Sequence, residues 1–319
     1  MSWSHLISVF DLLDDPAVRG AAVADYLRGL GAPSDSIEVE VVDGPGGTTD
    51  FVRVTIPGSD GKRAGGAVPT LGVLGRLGGL GARPEQIGFV SDGDGALAAI
   101  TIAAKLVAMR ARGEHLAGDV VVATHVDPDA PTQPHDPVPF MSSAVDQETS
   151  NRHEVLPEMD AILSIDTTKG NRVCNHKGIA ITPTIVDGWI VRVSETLLDV
   201  ASRTTGRAPA VMPITMQDIT PYGNGLFHVN SIVQPATATA VPVVGLAIVT
   251  ETAVAGSATG ATDLHDVDAA VRFAIETAKD FGRGIVSFAD ADEVARLQEL
   301  YGSMSVLRTV GEPAVSTRR

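Results

Sequence analysis

Two aspartates one residue apart, Asp92 and Asp94, end the stretch "IGFVSDGDG" just before a long apolar run. Carboxylates this close repel, and each favours protonation of the other. Such a pair either caps the following helix, whose N–H groups and dipole favour negative charge, or faces a cation or substrate. A second cluster lies in "THVDPDAPTQPH", where His125, Asp127, Asp129 and His135 share one loop. Imidazole and carboxylate are the usual ligands of Zn²⁺ and similar ions. The spacing matches no standard zinc signature, and the alternative is a surface loop stiffened by the five prolines of "DPDAPTQPHDPVPFMSS". A third cluster, "SIDTTKGN", offers Asp166 as a cation ligand or helix cap. It also offers Lys169 as a contact for an anion or carbonyl, or as a plain solvated lysine.

Other polar stretches carry less specific chemistry. "CNHKG" gathers Cys174, His176 and Lys177. Without a visible partner, Cys174 reads as a small buried filler rather than a nucleophile. "QDITPYGNGLFHVNS" is dense in hydrogen-bonding groups: Gln217, Asp218, Tyr222, Asn224, His228, Asn230 and Ser231. Long polar loops are often functional. His265 reads as a solvated residue in a helix's first turn. "GRLGGLG" lacks G-x-G-x-x-G and a following Lys-Ser/Thr, so no phosphate loop is indicated.

These groups need elements to hold them. Residues 5–31 show helical spacing, with Gly31 as a stop. "SIEVEVVDG" and "DFVRVTIPG" alternate apolar and polar residues around a Gly-rich turn, which predicts a hairpin. "AVPTLGVLGRLGGLG" (67–81) predicts an apolar strand running into a loop, and "EQIGFVSDGDG" a short strand ending at the aspartate pair. "ALAAITIAAKLVAMRARG" predicts a helix with Lys105, Arg110 and Arg112 towards its C-terminal half. "GDVVVATHVDP" (118–128), "MDAILSIDTTKGN" and "AVPVVGLAIVT" predict buried strands. "GIAITPTIVDGWIVRVS" predicts two strands, "ETLLDVASRTTG" a helix, and "DLHDVDAAVRFAIETAKDFGRG" a helix capped by Asp263 or Asp266. Strands alternating with helices, several of them apolar throughout, predict a central, mostly parallel sheet covered on both faces. Ligands bind such sheets at the carboxyl ends of the strands. Ser91–Asp94, Thr124–His135 and Asp166–Lys169 all fall at predicted strand ends, so one shared cleft is expected.

Bulk properties narrow the partners. The chain has 319 residues, 44% of them hydrophobic, and a formal net charge of -15. That charge argues against nucleic acid and against an anionic membrane surface. No apolar stretch reaches the roughly 18 residues that span a bilayer. A single cysteine excludes an internal disulfide and a Cys-based zinc cluster. Together with an N-terminus lacking a basic region and a long apolar core, this predicts a cytoplasmic protein. One domain over residues 1–308 and a frayed tail over 309–319 are expected.

Two resemblances add to this reading. "LGRLGGLGARPEQIGFVSDGDGALAA", "THVDPDAPTQPHDPVPFM", "DAILSIDTTKGN" and "QDITPYGNGLFHVNSIVQPATAT" resemble a bacterial and archaeal family of unknown function over nearly the whole chain. More distantly, the order of elements resembles the zinc-dependent exopeptidases, the superfamily of di-metal aminopeptidases and carboxypeptidases. That resemblance implies a three-layer α/β/α sandwich. It places Asp92 on the bridging metal ligand, Asp127 and Pro128 near the paired glutamates, and Asp166 on the next acidic ligand. The departures are plain. Arg76 and Gly78 stand where the superfamily has His-x-Asp, and Gly256 and Ser257 stand where a His is expected. The resemblance therefore implies a reduced site, with one divalent ion (Zn²⁺ or Mn²⁺) held by Asp92, Asp166 and His125, or none.

The function expected from both lines is hydrolysis of an amide bond in a small, peptide-like or cyclic amide. His125, Asp127, Lys169 and Arg76 are the expected catalytic groups. Asp94, His135, Lys177, Gln217, Tyr222, Asn224, His228 and Asn230 are the expected substrate contacts. A metal-free metabolite-binding protein or non-catalytic subunit is the rival, and an isomerase or lyase on the same scaffold is a third reading. The expected partners are a small-molecule substrate and further copies of the chain in a homo-oligomer.

Overall fold

A computed structural model describes residues 2–76, 78–214 and 231–308. Gln217, Asp218, Tyr222, Asn224, His228, Asn230 and the tail 309–319 lie outside the described residues. The first helical region is two helices, α1 (Trp3–Leu13) and α2 (Gly20–Gly29). "DDPAVR" separates them, since Pro16 cannot continue the ladder of α1. The hairpin follows as β1 (Ile37–Gly44) and β2 (Gly47–Ile56), paired in register from Ile37–Val54 to Gly44–Gly47. Next come β3 (Leu71–Gly75), α3 (Asp94–Ala111) and β4 (Val120–Val126). Then follow a two-residue hairpin, β5 (Thr132–Gln133) and β6 (Phe140–Met141), α4 (Gln147–Glu154) and β7 (Ala161–Thr168).

The region expected to hold two strands holds three: β8 (Gly178–Ile181), β9 (Thr184–Val186) and β10 (Trp189–Val191). Pro183 splits the first from the second, and a turn with Asp187 at positive φ splits the second from the third. The chain continues through α5 (Glu195–Thr205), β11 (Val243–Val249), α6 (Leu264–Phe281) and α7 (Ala291–Tyr301). Asp263 caps α6 through the His265 N–H, as one of the two expected candidates. The segment "EQIGFV" forms no strand. Val90 makes one isolated bridge to Thr259, and Ser91–Gly93 is a single 3₁₀ turn.

Nine strands form one sheet in the order β1-β2-β4-β3-β7-β11-β9-β10, with β8 also on β11. The four central strands β4, β3, β7 and β11 run parallel, and antiparallel pairs flank them on both sides. The parallel centre is the α/β core that the apolar runs predict. Every residue of β3, β4 and β11 is buried, as strands covered on both faces must be.

The two faces are covered differently. Helices α1, α2, α3, α5 and α6 pack on one face around Val73, Val122, Leu163 and Leu246. The other face, with Leu74, Val121, Ile162 and Ala247, is covered by Ile232 and Val233 of a 3₁₀ segment and by Met159 and Met212. Burying each such aliphatic side chain stabilises the fold by about 1.5–3 kcal/mol. Helix α3 is apolar on all sides and correspondingly buried from Asp94 to Ala104. Gly95 lets its first turn touch the sheet. A Cβ there would lie 2.6 Å from the Arg76 carbonyl oxygen and 2.7 Å from that of Ile165. The start of α3 is thus wedged onto the ends of β3 and β7. Among the described residues, no helix is long and apolar enough to cross a membrane.

Candidate functional site

The strand order reverses between β3 and β7: β3 continues through α3 to β4 on one side, and the chain later returns to β7 on the other. Open α/β sheets bind ligands at such a point, beyond the carboxyl ends of the strands. The sequence clusters meet this region, but they divide into two groups.

The first group is buried at the ends of β3 and β4. Arg76, immediately after β3, is 1% exposed. Its guanidinium donates to Glu154 Oε2 and to Gln147 Oε1, both on α4. Glu154 Oε1 bonds His125 Nδ1 at 2.7 Å, and the Gly78 N–H donates to His125 Nε2 at 3.0 Å. An N–H aimed at Nε2 makes that nitrogen the acceptor, so the hydrogen-bond network assigns the ring hydrogen to Nδ1, facing Glu154. Gly78 is required for this approach, because a Cβ there would lie 1.8 Å from the His125 carbonyl oxygen. Burial alone would push the Glu154 carboxyl up. The Arg76 charge and the His125 bond outweigh it, and the net displacement is below the usual carboxylate range. Asp127 follows β4 and is buried, which pushes its carboxyl up. One oxygen accepts from the Asp129 N–H at 3.2 Å, and the other has no hydrogen-bond partner among the described residues.

The second group borders a cleft of about 900 Å³. Asp92, His135 and Lys169 line it, with Pro137–Met141 of the β5–β6 hairpin as its apolar wall. Asp92 is 8% exposed and Asp94, behind it, 2%. No side-chain bond caps α3 at its N-cap, Gly93. Asp94 instead accepts from the Thr262 hydroxyl at 2.7 Å. Burial pushes the Asp94 carboxyl up to about 7, against the opposing pull of the Lys169 charge and the Thr262 bond, with Asp92 and Asp263 adding to the rise. Asp166 lies within β7, is 1% exposed and accepts from the Thr167 N–H at 2.7 Å. The Lys169 Nζ is buried with no hydrogen-bond partner among the described residues.

One expected residue lies elsewhere, and another lines the cleft from its exposed wall. Lys177 is exposed, ion-paired to Asp263, and lines a separate cavity of about 670 Å³ beside α5 and α6. His135 is exposed on the hairpin and reaches only the cleft wall. Cys174 is buried, and burial pushes its thiol up, in keeping with a filler. Glu154, Gln147 and Thr262 were not singled out from the sequence. They lie on helices or loops remote in the chain and stand in no motif.

A metal centre needs free donors. The described residues contain no group of three or more His, Cys, Asp or Glu placed to hold an ion. To serve as a ligand, His125 would have to give up either Glu154 or the Gly78 N–H. Arg76 adds a fixed positive charge at the same strand end. This donor set does not fit a metal.

The family model described as a protein of unknown function, DUF1177, matches residues 40–311. The chain belongs to this family. No curated protein matches it significantly. Among solved structures, it is similar to a mutant tomato leucine aminopeptidase at 14% identity and a TM-score of 0.47, over 86% of this chain and 61% of that one. It is also similar to an Acidobacteriales bacterium glutaminyl cyclase at 16% identity and a TM-score of 0.49, over 89% of this chain and 94% of that one. The chain therefore spans about three fifths of the aminopeptidase's length.

Proposed function

We propose that this DUF1177 protein hydrolyses an amide bond in a small molecule bound in the 900 Å³ cleft, with Asp92 as the general base. The observation that carries this reading is Asp92 lining the cleft with Asp94 buried beside it, its carboxyl pushed up by burial to about 7. A carboxyl displaced towards neutrality by burial beside a cleft marks a candidate site for proton transfer. Asp92 lines the cleft and takes a proton from water as the water oxygen bonds to the amide carbon. The same proton then passes to the amide nitrogen as the C–N bond breaks, and the carboxylate is restored. Asp94 does not touch the cleft. It is a positioning group that holds or releases a proton behind Asp92, within hydrogen-bond reach of Thr262.

Arg76 and His125 are assigned to bracing the ends of β3 and β4 rather than to the reaction, because their hydrogen-bonding ends are engaged internally. That same engagement favours the second reading, a metabolite-binding protein without catalysis.

A panel of N-acyl amino acids, dipeptides and lactams, assayed by mass spectrometry with wild type and Asp92→Asn, separates the two. Turnover falling about 10²–10⁴-fold in Asp92→Asn supports the base assignment. Binding of panel members without any turnover by wild type refutes hydrolysis and leaves the binding reading. Equal turnover in both proteins refutes Asp92 as base.

A further inference from the structure

The Lys169 side chain lines the cleft, yet its Nζ is buried and has no hydrogen-bond partner among the described residues. An ammonium carries three donors, and withholding both water and protein acceptors from it is unfavourable. The Lys169 charge is felt through space by Asp94, which burial pushes towards the neutral form. Lysine adapts readily, being a point charge on a flexible four-carbon stem. An anionic oxygen arriving in the cleft would therefore complete a site that the protein leaves open.

The charges around it select the anion. Asp92, Asp136 and Glu251 line the same cleft as Lys169 and Arg172. With three carboxylates against two cations, the lining repels a dianion such as phosphate more strongly than a monoanion, whose one charged group can sit against Lys169. The hairpin wall, with Pro137, Val138, Pro139 and Phe140, offers apolar surface on the same cavity.

We infer that Lys169 anchors the carboxylate of a monoanionic ligand whose apolar side group rests on the 137–140 hairpin, of the class of N-acyl α-amino acids. This deepens the hydrolase reading and rests on the same cleft. It assigns the substrate's carboxylate to the amine side of the scissile amide.

The experiment is isothermal titration at pH 7.5 of N-acetyl-phenylalanine and of its uncharged counterpart, N-acetyl-phenylalaninamide. Wild type, Lys169→Met and Lys169→Arg are compared. Wild type should bind the acid at least tenfold more tightly than the amide, following the worth of a charge-assisted bond. Lys169→Met should bind both alike, and Lys169→Arg should keep part of the preference. The thermal midpoint of Lys169→Met should equal or exceed that of wild type, because Met fills the same space without an unpartnered charge.

Wild type binding the acid and amide equally would overturn the inference without any variant. So would failure to bind either one, or a preference that survives Lys169→Met. Tight, Lys169-dependent binding of the acid without turnover would uphold the inference while refuting hydrolysis. Turnover of neutral amides indifferent to Lys169→Met would uphold hydrolysis while refuting the inference.

Discussion

Asp94 offers a direct test of the electrostatics at the cleft floor. Its carboxyl moves from 3.8 to about 7 on folding, which corresponds to on the order of 4 kcal/mol. The folded state binds this proton more tightly than the unfolded state. The group's stabilising contribution is therefore complete below about pH 4, declines between about pH 4 and 7, and is gone above 7. Asp94→Asn keeps an oxygen to accept the Thr262 hydroxyl and cannot ionise. Its stability relative to wild type should rise by roughly 2–3 kcal/mol between pH 5 and pH 8. Urea unfolding at both pH values, followed by circular dichroism and by the emission of Trp3 and Trp189, measures the difference. Other displaced groups, including Asp127 and Asp266, pushed up by burial, act in both proteins and cancel in the comparison. Parallel stability curves for wild type and variant across this range would refute the buried, neutral Asp94.

Three further outcomes test the rest of the site. Arg76→Met leaves the Glu154 charge buried without its guanidinium and should cost about 3–5 kcal/mol, with much of the loss recovered in Arg76→Met/Glu154→Leu. A double variant no more stable than the single one in thermal melts would refute the buried-pair account. Gly95→Ala forces a methyl to within 2.6 Å of the Arg76 carbonyl, and a loss of at least about 1–3 kcal/mol is expected. An unchanged melting point would place α3 farther from the strands. Nitrogen-detected NMR of labelled histidine should find the His125 hydrogen on Nδ1, and a hydrogen on Nε2 would contradict the Gly78 contact.

Much of the scaffold was legible because it is written in periodicity. The apolar runs "VVVATHV", "AILSIDTT" and "VVGLAIV" are central strands, and "ALAAITIAAKLVAMRA" is the central helix. Turn chemistry misled in two places. "EQIGFV" has a strand's composition, but among the described residues it pairs with no strand and forms only the isolated Val90–Thr259 bridge. "GIAITPTIVDGWIV" yields a third strand because Pro183 interrupts a run that keeps its direction along β11, and the Asp187–Gly188 turn then reverses the chain.

For the site, Asp166 and Lys169 were readable at the end of a true strand, whereas Asp92 and Asp94 were found as a carboxylate pair before an apolar helix although the strand expected before them does not form. Which of them face the cleft was not readable. That depends on Glu154 and Gln147 of α4 folding back onto Arg76, and on Thr262 reaching Asp94 from a residue 168 positions away. Nothing in a local pattern records such long-range pairings.

The long-range pairings also decide where chemistry can occur. On the β4 side of β3, Gln147, Arg76, Glu154 and His125 form a hydrogen-bonded chain, ending on the Gly78 N–H, in which each charge and each ring nitrogen has a partner. A group so engaged has nothing to offer a ligand without first breaking a bond worth more than most ligands return. On the β7 side, burial pushes the Asp94 carboxyl up to about 7, and the Lys169 Nζ has no hydrogen-bond partner among the described residues next to open volume. These groups are retained in states the fold alone does not favour, and a bound molecule can relieve them. The two sides should therefore answer mutation differently. Substitutions at Arg76, Glu154 and Gln147 should lower the melting temperature and change ligand binding only as the fold loosens. Substitutions at Lys169 and Asp94 should change ligand binding or its pH dependence while leaving the melting temperature at pH 8 level or raised. A panel of these five variants, measured for both quantities, would refute this division if the two effects travelled together on both sides of β3.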